Sequence, residues 1–161
     1  MAEQVKLGIK VDDGLVRVPI TNTVDEEVGV FYFRPTDIGI LERYTRLVDK
    51  FEEVTKPLEK VSIGPNGEAL DPTDEESVKA LKEAEGLLNN LLNELFDGNF
   101  AEAFFGKMNP FSPVGGRFYC EGAIEAVGDF INAQFGKEAA MMSRNVEKYT
   151  KQYKGKNRSR K

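Results

Sequence analysis

The chain has no histidine, no tryptophan and a single cysteine. Lacking histidine, it is without the commonest general base and the commonest metal ligand at neutral pH. Cys120 has no second cysteine for an internal disulfide and no histidine to raise its thiolate fraction, so it reads as a packed core residue rather than a nucleophile. No apolar run approaches 18 residues and none follows Met1, which describes a cytoplasmic protein without a membrane span. The nearest approach to a phosphate-cradling loop is Gly115-Gly116-Arg117, and a lone Gly-Gly pair reads first as a connection between helices. The acidic run Asp71 to Glu76 lacks the alternating oxygen ligands, central glycine and twelfth-position glutamate of a calcium loop. No catalytic site, cofactor or metal is expected, and an enzyme is the least favoured class.

What the chain does have is length for one domain, with 161 residues of which 40% are hydrophobic and 30% charged. Its net charge of −5 hides a split: Glu147 to Lys161 holds seven of the 22 Lys/Arg and one of the 27 Asp/Glu, leaving +6 there and −11 elsewhere. An acidic body disfavours nonspecific nucleic-acid binding, whereas a basic arm can attract phosphate or an acidic protein face. Nine of the sixteen aromatic residues fall between Leu95 and Phe135. Aromatics bury the most apolar surface per residue, so the core is expected to condense there.

Along the chain, Val5, Leu7, Ile9 and Val11 alternate with Lys6, Gly8 and Lys10, the period of a half-buried strand. Asp13-Gly14 suits a two-residue hairpin turn that would set Val11 against Val16, Ile9 against Val18 and Leu7 against Ile20, all apolar on one face. Pro19 marks the second strand as an edge, or holds a position that donates no bond. Val28 to Phe33 reads as a third strand, apolar on both sides and therefore covered on both. Thr36 or Asp37 can cap a helix in which Leu41, Tyr44, Val48, Phe51, Leu58 and Val61 recur at helical spacing, widened by Leu47 and Val54, with Pro57 kinking or ending it near Thr55. Ser62 to Leu70 reads as a loop. Thr73 and Glu76 form a capping box for a second helix, lined by Val78, Leu81, Leu88, Leu91, Leu92 and Leu95 and ended by Asp97-Gly98. Asn99 can cap a short helix, Phe100 to Phe105. Lys107 to Arg117 is too broken by Gly and Pro for regular structure, and a last helix starts near Phe118 and runs to Phe135 or on toward Tyr149.

These readings describe an α+β protein: a three-stranded antiparallel β-meander over residues 1–34 and about four helices over 36–147 in one domain, with a basic, disordered tail over 148–161.

The order of parts resembles the tail assembly chaperones of siphophages of Gram-positive hosts. The resemblance rests on the N-terminal hairpin, a helix ending near VSIGPNG, an Asn/Leu-rich helix, the passage FDGNFAEAFFG at Phe96 to Gly106, a Pro-rich loop, the Phe118, Ile124, Phe130 helix and the Lys-rich end. It implies no catalysis. It implies a small protein of the host cytoplasm, absent from the mature virion, that binds the hydrophobic, largely helical tape measure protein, keeps it soluble and helps major tail protein polymerise around it. In such families a longer product often arises by ribosomal frameshifting, and this chain would be the short form. Client or self contacts are then expected at Phe104, Phe105, Phe111, Phe130, Phe135, Met141 and Met142, since Met repacks easily against different partners; core packing is the competing role for these residues. Two other classes compete: a structural virion component such as a connector or tail-tube subunit, and a nucleic-acid-binding accessory protein acting through Lys148 to Lys161.

Overall fold

The structure is a computed structural model that describes residues 7–60 and 75–158. It is α+β and mostly helical (61%), with four α-helices, a small two-stranded antiparallel sheet and a second hairpin of two-residue strands among the described residues. In chain order the elements are β1 (Val16–Thr21), β2 (Glu27–Phe33), α1 (Gly39–Thr55), a 3-10 turn (Lys56–Lys60), α2 (Glu75–Phe96), α3 (Phe100–Phe105), the two-residue strands β3 (Pro113–Val114) and β4 (Arg117–Phe118), and α4 (Tyr119–Arg158).

β1 and β2 form a hairpin in which Val16 opposes Phe33 and Val18 opposes Phe31. Its turn is organised by Asn22, whose Oδ1 accepts the N–H groups of Val24 and Glu26, both at 3.0 Å. Phe31 and Phe33 are buried and Tyr32 is exposed, so β2 alternates instead of being covered on both sides.

The expected first strand does not form: residues 7–15 carry no strand, and the sheet is a hairpin where a three-stranded meander was expected. Val5 and Lys6 lie outside the described residues. The turn residues themselves explain the difference. Asp12 and Asp13 accept the backbone N–H groups of Gly14 and Leu15 at 3.0 and 3.1 Å, and Asp13 pairs with Arg34 at 2.5 Å, just past the end of β2. Short carboxylates that bond their own backbone compete with ladder pairing. The corner is thus held at the end of β2 by its own bonds, and residues 7–11 beyond it form no ladder with β1. The hydrogen bond from Arg34 holds the Asp13 carboxyl below the ordinary carboxylate value, so the pair is lost only as pH falls through that depressed value.

The sheet meets the helices at the α2–α3 corner. α2 ends where expected, with Asp97 at φ 48°, the Gly98 N–H on the Asn93 carbonyl and the Asp97 N–H on the Glu94 carbonyl, a Schellman ending. α3 has its expected bounds, but the cap is exchanged between two asparagines. Asn93 Oδ1 accepts the Ala101 N–H at 2.9 Å, while Asn99 turns away to the outer edge of β2, accepting from Tyr32 N–H and donating to the Val30 carbonyl, both at 2.9 Å. Two glycines permit the approach. A Cβ on Gly98 would lie 2.4 Å from the Tyr32 carbonyl oxygen, and one on Gly29 would lie 2.2 Å from that of Ala103 in α3.

Around this corner the rings assemble. Phe31 and Phe33 stack at 4.1 Å, Phe100 stacks on Phe104 at 4.4 Å and on Phe96 at 5.1 Å, and Phe31 stands edge-on to Phe96, Phe100 and Phe104. Such pairs add about 0.5–1.5 kcal/mol each beyond the area they bury.

α1 ends at Thr55 before Pro57, as expected, and the 3-10 turn takes up the chain. At its start Asp37 Oδ1 accepts the Gly39 N–H at 2.9 Å, and Arg43 bridges Asp37 to the Leu95 carbonyl at the end of α2. The stripe facing the core is Ile40, Leu47 and Val54, whereas Leu41, Tyr44 and Val48 point outward. Ala80 and Ala84, followed by Leu88, Leu92 and Leu95, form the buried face of α2; Val61, the 62–70 loop and the Thr73 cap lie outside the described residues.

The loop expected to be irregular contains the β3–β4 hairpin, turned by Gly115 and Gly116 at φ 63° and 83°, a type I′ turn. Beyond it α4 runs unbroken through Arg158, so residues 148–158, expected to be disordered, are helical. No proline interrupts this stretch, and Lys, Arg and Gln sustain helices while cations suit a helix C-terminus. From 136 to 146 every residue is exposed, so α4 projects from the body.

Gly29→Ala should destabilise the fold by about 1–3 kcal/mol by forcing α3 off β2. Asn99→Ala should cost about 1–2 kcal/mol by orphaning the two β2 groups. Urea denaturation followed by circular dichroism measures both, and no change in either variant would contradict the corner described above.

Candidate functional site

The outward stripe of α1 borders a groove. Leu41, Tyr44 and Val48 recur at helical spacing, roughly a quarter turn around the helix from the core stripe. They are 65%, 48% and 56% exposed. Tyr44, Leu47, Val48 and Phe51 form one wall of a cleft of about 400 Å³, and Ile124 of α4 forms the other. Its rim is acidic, made by Glu121 and Glu125.

Both rim carboxylates also hold local structure. Glu121 accepts the Phe118 N–H at 2.8 Å, the reciprocal half of a capping box that starts α4. Glu125 pairs with Arg117, which fixes the β3–β4 hairpin to the first turns of α4. The walls between the two carboxylates are apolar, formed by Tyr44, Leu47, Val48, Phe51 and Ile124. The groove can accept the apolar face of an amphipathic helix, with basic side chains of that helix meeting the rim.

A second cleft of about 210 Å³ opens between the sheet and α4, with Val18, Ile20, Phe104, Val127 and Phe130 among its walls.

The contact residues expected from the sequence divide into three groups. Phe104, Phe105 and Phe111 are buried core rings, Phe111 being edge-on to Phe118 at 5.4 Å. Phe130 and Phe135 are half-buried on α4, and Phe130 reaches Phe33 at 5.9 Å as well as lining the smaller cleft. Met141 and Met142 are exposed on the projecting part of α4. Phe135, Ala139 and Met142 follow one another at coiled-coil spacing. The structure thus brings Phe104 and Phe130 together at one cleft and leaves the methionines on a separate surface.

The α1 groove is not legible in the sequence, where Leu41, Tyr44 and Val48 have the spacing of a core stripe. The available signal was excess width: two apolar stripes share α1, and a single interior needs only one. Gly115-Gly116 forms a hairpin turn, and Asp71 to Asp74 lie outside the described residues. No helix is long and apolar enough to cross a membrane among the described residues.

Compared with known proteins, the chain matches no family model, no curated protein and no solved structure.

Cys120 is fully enclosed at the start of α4, and burial, reinforced by the neighbouring Glu121 charge, pushes its thiol up to about 11. At pH 8 the native protein should react with Ellman's reagent about a hundredfold or more slower than the urea-unfolded chain, because both thiolate fraction and access are lost. Equal rates in the two states would contradict this placement.

Proposed function

We propose that this chain is a non-catalytic tail assembly chaperone that binds helical segments of a tape measure protein and keeps them soluble during tail assembly. The observation that carries the reading is the uncovered stripe of Leu41, Tyr44 and Val48 at a groove with an acidic rim. An aggregation-prone amphipathic helix can lay its apolar turns there, between α1 and Ile124, while the acidic body keeps the complex soluble. The resemblance of FDGNFAEAFFG and its flanking elements to siphophage chaperones supplies the client's identity. On this reading Met141 and Met142, on the projecting part of α4, give a second and more adaptable contact. The protein acts in the host cytoplasm, leaves the finished tail, and contacts major tail protein through the complex.

Co-expression with a candidate tape measure protein tests the reading. Full-length chain should hold the client soluble and co-purify with it. Val48→Asp, an exposed position on α1, should reduce retained client about tenfold, the effect of removing one anchor worth about 1.4 kcal/mol, with helical circular dichroism unchanged. Failure of the full-length chain to retain the client would sink the reading. Retention undiminished in Val48→Asp would move the client off the α1 groove.

A further inference from the structure

The two edges of the β1–β2 sheet are finished differently. Asn99 meets Tyr32 N–H and the Val30 carbonyl on the outer side of β2. Backbone groups alternate in direction along a strand, so Phe31 and Phe33 turn theirs toward β1. Their partners Val18 and Val16 then face β2, and Arg17 and Pro19 present their backbone groups at the outer edge of β1. That edge has no strand partner among the described residues. Beneath it opens the smaller apolar cleft, bounded by Val18, Ile20, Phe104, Val127 and Phe130.

A segment with the matching pattern lies elsewhere in the same molecule. Leu7, Ile9 and Val11 alternate with Gly8 and Lys10, yet the three apolar side chains are 99%, 97% and 77% exposed. Exposed alternating apolar segments and unpaired edges are the two halves of a strand-addition interface.

We propose that Leu7–Val11 of one copy adds as an antiparallel strand to the outer edge of β1 in a second copy, reciprocally, making a two-fold dimer. The alignment that sets Ile9 across from Val18 and Val11 across from Val16 keeps the arm's apolar residues on the cleft side, where they close it. The second copy is favoured over closure within one chain by the corner at residues 12–15. Its two side-chain-to-backbone bonds and the Asp13–Arg34 pair form while residues 7–11 stay unpaired and exposed, off their own β1 edge. Closure on its own edge breaks these contacts, whereas exchange between copies keeps them. Pro19 supplies no N–H, so the added strand lacks one ladder bond, and Lys10 stands across from Arg17 on the solvent face, where salt screens the repulsion. Both features make the dimer exchangeable rather than permanent.

The test uses full-length protein and no client, so its outcome is independent of the chaperone reading. Sedimentation over a concentration series should show twice the 18.0 kDa chain mass at the upper end, and Leu7→Asp/Ile9→Asp should stay monomeric with unchanged helical circular dichroism. Separately tagged Ile9→Cys and Val18→Cys chains, mixed under mild oxidation, should form a disulfide-linked heterodimer, with buried Cys120 out of reach. A wild-type chain monomeric throughout, or a dimer that survives Leu7→Asp/Ile9→Asp, would overturn the proposal. So would an Ile9→Cys/Val18→Cys chain that links within itself while the mixed single variants do not link.

Discussion

The amide of Asn99 on the edge of β2 is the contact on which the rest of the arrangement depends. It satisfies one strand donor and one acceptor with a single side chain, and so ends the sheet from within. It also fixes the α2–α3 corner at the distance where Gly98 and Gly29 admit the opposing backbones. With that spacing set, Phe96, Phe100 and Phe104 arrive against Phe31 and Phe33, and the ring cluster becomes the core. An asparagine capping α3 in the ordinary way would leave the strand edge unpaired. The exchange of roles with Asn93 gives both the helix start and the strand edge a partner.

Closing one edge of the sheet leaves the asymmetry that defines the other. Among the described residues β1 is held on one side only, its outward backbone groups are interrupted by Pro19, and an apolar cleft lies below. The N-terminal arm has the composition of the missing strand, but the carboxylates of its turn are engaged elsewhere. Local hydrogen bonds at Asp12 and Asp13, together with the Arg34 pair, outweigh the pull of the pattern within one chain.

α1 shows a related division on the helical side. Its inner stripe binds α2, with Arg43 tying the start of α1 to the end of α2, and its outer stripe remains beside the first turns of α4. Glu121 and Glu125 serve both the start of α4 and the rim of the groove. Local capping chemistry therefore sets the charge that a partner helix would meet. The projection of α4 past Phe135 carries the methionines away from the body, onto a surface separate from the groove.

Local chemistry in the sequence by itself determined the α+β class, the bounds of α3, the stop of α1 before Pro57 and the end of α2 at Asp97-Gly98. Each of these follows from propensities and caps acting within a few residues. Tertiary structure alone decided three other matters. Whether Leu7–Val11 pairs depends on what Asp13 finds in space, which is Arg34. Which α1 stripe is buried depends on where α2 approaches, and apolar periodicity is the same for a core face and a docking face. The destination of the Asn99 side chain depends on a strand nearly seventy residues upstream. Side-chain pattern specifies what a segment is able to bury, and only packing selects the surface it is buried against.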